Sequence, residues 1–222
     1  MKILVISPHP DDETLGCGGT LLRHKAEGAE LNWIVVTETY APKWSADLVE
    51  RKAKEVDDVG KAYGMHKVRK LGFPTIQLGE ISLSVLMDKI REAIEEICPE
   101  TVYLVHAGDV HTDHHAVFTA TMSVLKTFYM SKMGVKRILC FETLSSTEAA
   151  PALSHRLFIP NMYSDITPYI EDKIAIMGKY ETEAQPDPFP RGFSAIRALA
   201  RYRGASIGVD YAEAFMLIRE IF

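Results

Sequence analysis

Cysteine is scarce in this chain of 222 residues, which has only Cys17, Cys98 and Cys140 and no CxxC pair. A disulfide framework is therefore not expected, and a reducing cytoplasm is the natural compartment. The chain also lacks a basic excess, since its formal net charge is −5 at pH 7, which argues against a nucleic-acid or anionic-membrane partner. No apolar run approaches the roughly 18–20 residues of a membrane span, and the N-terminal run is too short for a signal peptide.

The composition is that of an ordinary globular protein, with 47% hydrophobic and 25% charged residues. A chain of this length normally makes one domain, so we expect a single domain over residues 1–222. Six of its eleven prolines fall in the segment 143–192. This segment is predicted to be an appendage within the domain, which either shapes a substrate pocket or forms an interface in a homo-oligomer.

Apolar runs rich in β-branched residues predict strands at 2–7, 31–37 and 101–105, with weaker patterns at 67–71, 137–142 and 213–219. Helical patterns lie between them, at 45–63 before Gly64, along the stripe from Leu86 to Ile97, along a stripe from His114 to Phe128, and near 167–181. Strands that alternate with helices predict an α/β fold, with a doubly wound, mainly parallel sheet and helices on both faces.

Four polar residues follow the first predicted strand, namely His9, Asp11, Asp12 and Glu13. Ligands bind outside the carboxyl ends of parallel strands, and imidazole and carboxylate are ordinary zinc ligands. His9 and Asp12 are three residues apart, so a turn can direct both at one ion while Asp11 points elsewhere. The alternative is a capped helix start, with Asp11 or Asp12 as N-cap and Glu13 in the first turn.

Three glycines follow this segment, namely Gly16, Gly18 and Gly19, but they do not form GxGxxG. They also come after the expected helix start, which argues against a dinucleotide loop. We interpret them as positions where the first helix packs closely on the sheet.

A second polar segment follows the strand at 101–105 and holds four of the eight histidines. His114 begins an apolar stripe, so its ring is expected to face inward as a metal ligand. His111 can serve as an electrophile towards a carbonyl, in its protonated form, or as an acid towards a leaving amine. Asp113 suits a carboxylate that orients a histidine.

The other polar residues of this segment have less defined roles. Asp109 is expected either to cap the turn or to hold a neighbouring side chain. His115 lies one residue off the stripe and is interpreted as exposed or structural, whereas the role of His106 stays open.

Together the two segments resemble the PIG-L/LmbE family of zinc-dependent N-deacetylases, whose signatures are (P/A)-H-P-D-D-E and H-x-D-H. They correspond here to Pro8-His9-Pro10-Asp11-Asp12-Glu13 and His111-Thr112-Asp113-His114. The resemblance implies a Rossmann-like fold and hydrolysis of an N-acetyl group on an N-acetylglucosamine-type amino-sugar conjugate. It also implies the following roles: metal ligands His9, Asp12 and His114, general base Asp11, transition-state stabiliser His111, and orienting residue Asp113.

Weaker likenesses extend along the chain. Arg51-x-x-x-Glu55 resembles a family helix and predicts a substrate contact for Arg51, although a solvated Arg51–Glu55 pair explains it equally well. Where many members have a short motif ending in Ser-Gln, this chain has Tyr180-Glu181-Thr182-Glu183-Ala184-Gln185. The substrate side of the pocket is therefore expected to differ.

The nature of the metal rests on the resemblance, because two histidines and one carboxylate also suit ferrous iron. Two other functions remain open at this point. Asp113-His114-His115 spells the DHH sequence of two-metal phosphoesterases, and a closed four-ligand site would indicate a non-catalytic binding protein with a structural metal.

Overall fold

The computed structural model describes all 222 residues and contains one seven-stranded sheet. Its strands are β1 (Lys2–Ser7), β2 (Glu30–Glu38), β3 (Lys67–Pro74), β4 (Thr101–Val105), β5 (Arg137–Phe141), β6 (Met162–Asp165) and β7 (Ala212–Glu220). The helices are α1 (Asp12–Ala26), α2 (Ala46–Tyr63), α3 (Leu83–Ile97), α4 (Thr112–Val124), α5 (Thr127–Met130), α6 (Ile170–Met177) and α7 (Phe193–Ala205).

The strands lie in the order β3-β2-β1-β4-β5-β7-β6. The first five are parallel to their neighbours, whereas β7 is antiparallel to both β5 and β6. The predicted mainly parallel sheet is thus confirmed, with an antiparallel pair at one edge. Nearly every residue of β1, β2 and β4 is buried, as expected for strands that are covered on both faces.

The helices form two layers. α1 packs against α2 and α6, and α6 against α7, whereas α3 packs against α4. The chain moves along the sheet in one direction through α1 and returns in the other through α3. Right-handed crossovers therefore place these two helices on opposite faces, which confirms the doubly wound arrangement. None of the helices combines the length and the apolar character that a membrane crossing requires.

The predicted end of α2 is confirmed, whereas the predicted end of α4 is not. Gly64 ends α2 in the left-handed region, at φ 70°, and its N–H donates to the carbonyls of Gly60 and Lys61. The stripe drawn from His114 to Phe128 is wrong in its last part, because α4 ends at Val124 and the chain turns there. Phe128 lies in α5, and 64% of its surface is exposed.

The glycines of α1 mark close packing, as predicted. A Cβ on Gly16 would lie 2.0 Å from the ring of Phe141 in β5, and one on Gly18 would lie 2.5 Å from the hydroxyl of Tyr63. Side chains at these positions would collide with the sheet and with α2. The glycines therefore let α1 approach both, and this brings the start of α1 against the end of β1.

The proline-rich segment 143–192 contributes to the sheet and to the core. It supplies β6 and α6, and its Tyr180 side chain is fully buried among the residues of the main core. The segment is thus joined to the rest of the fold by strand pairing and by packing of α6 on α1. The organisation of residues 1–222 as one domain stays a prediction.

Candidate metal centre

The two polar segments meet where the strand order reverses. β1 and β4 are neighbours, and from this pair the chain proceeds to β2 on one side and to β5 on the other. Because the chain leaves these two strands in opposite directions, a crevice forms outside their carboxyl ends. Ligands bind in this crevice in doubly wound folds. The segment after Ser7 and the segment after Val105 both enter this crevice, which brings His9 beside His114.

Three histidine rings form the centre of the crevice. The ring centroids of His9 and His111 are 4.4 Å apart, those of His9 and His114 5.3 Å, and those of His111 and His114 5.2 Å. One ligand atom from each ring lies within 4.8 Å of the others. The structure therefore brings the three predicted histidines together around one point.

The carboxylate of Asp12 lies between two of these rings. One of its oxygens is 3.5 Å from Nδ1 of His9, and the other is 3.4 Å from Nε2 of His114. Two ligands about 2.0–2.1 Å from a tetrahedral zinc ion lie about 3.3 Å apart. The spacing of these donor atoms thus fits a divalent ion held by His9, Asp12 and His114.

In the rings of His9 and His114, the nitrogen that points away from Asp12 is hydrogen-bonded to another carboxylate. Asp113 Oδ2 lies 3.0 Å from Nε2 of His9, and Asp109 Oδ2 lies 2.7 Å from Nδ1 of His114. A ring that donates its proton to a carboxylate keeps a lone pair on the other nitrogen, and in both rings this lone pair faces Asp12. The expected orienting role of Asp113 agrees with this contact, and of the two roles considered for Asp109 the structure shows that it holds a neighbour.

His111 has a different hydrogen-bond pattern. It is the N-cap of α4, and its Nδ1 accepts the backbone N–H of Asp113 at 3.1 Å. Burial, together with the charges of His9 and His114, lowers the pKa of His111 to about 4. A lowered pKa favours the neutral ring at pH 7, and because Nδ1 accepts a hydrogen bond the proton then lies on Nε2. A protonated His111 was expected, and the role of His111 stays a prediction.

The centre stabilises positive charge. Burial on its own lowers the pKa of His114, but the carboxylates of Asp12 and Asp109 outweigh it and raise that pKa to about 10. Burial on its own raises the pKa of Asp12, but the charge and hydrogen bonds of His114 and His9 lower it well below its usual range. A cation at this point, either the second proton of His114 or a metal ion that displaces it, is thus favoured over a neutral site.

Asp11 has an unusual backbone conformation, with φ 108° and ψ −30°, and its side chain caps no helical N–H. Its Oδ2 instead lies 3.3 Å from Nη1 of Arg191. Asp12 accepts the backbone N–H of His9, so neither acid provides the side-chain cap of the alternative interpretation. Burial and the charge of Asp12 raise the pKa of Asp11 to about 7, which suits a group that takes up and releases a proton near neutral pH.

A cavity of about 450 Å³ opens from the centre. One wall is apolar, with Trp44, Leu48, Val49 and Ile76, and another carries the charged side chains of Lys52, Glu183 and Arg191. The sequence patterns gave no signal for these three charged residues, because they come from α2 and from the proline-rich segment. Only the folded chain brings them beside Asp11.

Arg51 lies outside this cavity. Half of its side chain is exposed, and its nearest acidic partner is Glu181, at 3.8 Å. The alternative Arg51–Glu55 pair is not formed, because the buried Glu55 carboxylate accepts the N–H and the hydroxyl of Thr182. The neighbouring Lys52 faces the cavity instead.

The two remaining histidines of the second segment face main-chain carbonyls. His106 Nε2 lies 3.0 Å from the oxygen of Arg156, and His115 Nε2 contacts the oxygen of Asp109. Both are thus structural, as expected for His115.

Known proteins are similar to this chain in sequence and in fold. A family model described as "PIG-L: GlcNAc-PI de-N-acetylase" matches residues 4–125. The uncharacterised deacetylase YaiS of Escherichia coli K12 is 28% identical over 186 residues, which cover 81% of this chain and 90% of the relative. Diacetylchitobiose deacetylase of Thermococcus kodakarensis is 25% identical over 237 residues, which cover 100% and 84%. The crystal structure of a conserved protein from Thermus thermophilus matches with a TM-score of 0.78 and 28% identity, over 99% of this chain and 96% of that one.

Proposed function

Because this chain belongs to the PIG-L family of de-N-acetylases, we propose that it hydrolyses the N-acetyl group of an N-acetylglucosamine-type amino sugar with the help of a zinc ion. The observation that carries the proposal is the position of Asp12 between the unshared nitrogens of His9 and His114, with Asp11 beside them in one cavity. The relative from Thermococcus is named for diacetylchitobiose, and a relative from Bacillus cereus for N-acetyl-α-D-glucosaminyl L-malate. Both names support an acetylated amino sugar as substrate.

In this proposal His9, Asp12 and His114 hold the metal, and His111 does not. The neutral His111 ring accepts at Nδ1 and carries its proton on Nε2, so it has no free lone pair to offer. Zinc would supply a Lewis acid, which acidifies water and polarises an acyl oxygen.

The side chains of the cavity carry the proton transfers. Asp11 takes a proton from the water that adds to the acyl carbon, and it returns that proton to the nitrogen as the C–N bond breaks. The products are acetate and the free amino sugar. His111 donates its Nε2–H to the acyl oxygen, on which negative charge develops.

The two-metal phosphoesterase alternative is not favoured. Its DHH sequence would use His115 as a ligand, but that ring contacts the main-chain oxygen of Asp109. The proposed compartment is the cytoplasm, in agreement with three free cysteines.

The proposal is tested by incubating the purified protein with diacetylchitobiose and other N-acetylglucosamine conjugates and measuring acetate and free amine. We expect release that a chelator abolishes and that zinc restores, with about one metal ion per chain. Restoration by ferrous iron alone would identify iron as the metal. If protein with a full metal site released no amine from any acetylated amino sugar, the proposal would be wrong.

A further inference from the structure

Two cationic side chains share the carboxylate of Glu183 on the cavity wall beside Asp11. One carboxylate oxygen of Glu183 contacts Nζ of Lys52, and the other lies 2.8 Å from Nη1 of Arg191. The same Nη1 lies 3.3 Å from Asp11. Each side chain of this charged group (Lys52, Glu183 and Arg191) exposes at most 26% of its surface, so the charges are poorly screened by solvent.

Each cation of the charged group thus already has a carboxylate partner. Besides the charged group and the histidines, the only basic side chain of the cavity is Lys70, whose Nζ is bound by Asp57 at 2.6 Å. Glu38 adds a further carboxylate to the lining. An anionic substituent that entered would meet the carboxylates of Glu183 and Glu38, while the cations beside Glu183 are already paired.

Two buried polar groups that line the same cavity have no partner in the protein. They are Nε of Arg191 and the hydroxyl of Thr143. Buried polar atoms without a partner are rare in folded proteins, and a sugar hydroxyl can satisfy either of them. The wall is thus suited to an uncharged, hydroxyl-rich ligand.

We infer, on the basis of the proposed function, that the enzyme selects acetylated amino sugars that are uncharged near the acetyl group, and that Glu183 rejects those bearing a carboxylate or phosphate there. Glu183 acts in two ways. It occupies the two cations that would otherwise bind an anion, and it faces the ligand with its own negative charge.

The test uses two glycosides of N-acetylglucosamine that differ only in charge, the carboxymethyl glycoside and its uncharged carbamoylmethyl counterpart. The wild-type enzyme should prefer the uncharged glycoside in kcat/KM by about tenfold or more, and Glu183→Gln should bring the ratio close to one. Glu181→Gln is the matched control, because it removes the same charge two residues away, from a carboxylate that is 77% exposed and paired with Arg51. This control should keep the wild-type ratio.

Lys52→Met is a second variant, and it tests the inference even if Glu183→Gln does not fold. It removes a cation and leaves Glu183 in place, so the preference for the uncharged glycoside should widen. Equal use of both glycosides by the wild type, or a ratio that Glu183→Gln and Lys52→Met leave unchanged, would overturn the inference.

Calorimetry with the same two glycosides separates this inference from the proposed function. The Kd of the charged glycoside divided by that of the uncharged one should be well above one in the wild type, close to one in Glu183→Gln and larger than the wild-type value in Lys52→Met. This order should hold whether or not acetate is released. Without acetate release the proposed activity fails, whereas a Kd ratio of one in the wild type overturns the charge selection alone.

Discussion

The backbone N–H of Asp11 donates to Oε2 of Glu13 at 3.2 Å, and this bond supports the left-handed backbone of Asp11. Such a conformation costs a non-glycine residue about 1–3 kcal/mol and persists only where surrounding contacts hold it. The other oxygen of Glu13 accepts the hydroxyls of Tyr180, at 2.7 Å, and of Thr14, at 2.6 Å. We therefore expect the fully buried Glu13 to position the proposed base.

We expect Glu13→Gln to lower kcat by about 10–100-fold while the bound metal is retained. Its amide can still accept the two hydroxyls, but its NH₂ group would then face the N–H of Asp11, so the support is lost. Tyr180→Phe is the control, because it removes one hydroxyl and leaves the Asp11 contact intact. If Tyr180→Phe reduced kcat as much as Glu13→Gln, the positioning role would be refuted.

Asp11→Asn should keep the metal and lower kcat by about 10²–10⁴-fold, since the amide cannot take up a proton. Steady-state kinetics together with metal analysis of the same preparation provide the check. An Asn variant as active as the wild type would remove Asp11 from the role of base.

The ligand set can be decided by comparing Asp12→Ala with His111→Ala. Asp12→Ala should lose its metal on dialysis, whereas His111→Ala should retain about one ion and lose about 10²–10³-fold in kcat, as when an oxyanion donor is removed. Metal content measured after dialysis distinguishes the two. Loss of the ion from His111→Ala would instead support ligation by three histidines.

Asp109→Asn should weaken metal binding by about 10–100-fold, because the carboxylate that orients His114 loses its charge. The control is Thr147→Val, which removes the hydroxyl that donates to the other oxygen of Asp109, at 2.6 Å, and accepts the backbone N–H of Thr143. Competition with a chelator of known affinity measures both. Equal affinities in the wild type and Asp109→Asn would contradict the role.

Gly16→Ala should destabilise the protein by about 1–3 kcal/mol, because its Cβ would lie 2.0 Å from the ring of Phe141. Gly79→Ala is the matched control, since a Cβ at that position has no heavy atom within 4 Å. Thermal unfolding should show a melting temperature lower by several degrees for Gly16→Ala and little change for Gly79→Ala. Equal melting temperatures would show that the ring moves aside without cost.

The sequence predicted six of the seven strands and the two segments that meet in the crevice, because both follow from local patterns, but it missed β6 (Met162–Asp165) in the proline-rich segment. Apolar runs mark buried strands, and the carboxyl ends of parallel strands share one edge. The direction of β7 was not predictable, since its apolar pattern is compatible with either direction of pairing. The end of α4 was missed because the apolar spacing continues past its last turn.

Other parts of the site depend on residues that meet only in the folded chain. Asp109 could be assigned to His114 only from the distance between them, and Glu183 and Arg191 approach Asp11 from a segment more than 170 residues away. The protonation state of His111 follows from burial and from the neighbouring charges. None of these quantities is encoded in local spacing.

The pairing of β1 with β4 also links metal binding to folding. His9 and His114 are about a hundred residues apart in the sequence, so the unfolded chain presents no assembled site. An ion that binds only after these two strands have joined will shift the equilibrium towards the native protein by mass action, and the melting temperature will rise with metal concentration. The proposed metal centre would thereby also stabilise the junction of β1 and β4 in the middle of the sheet.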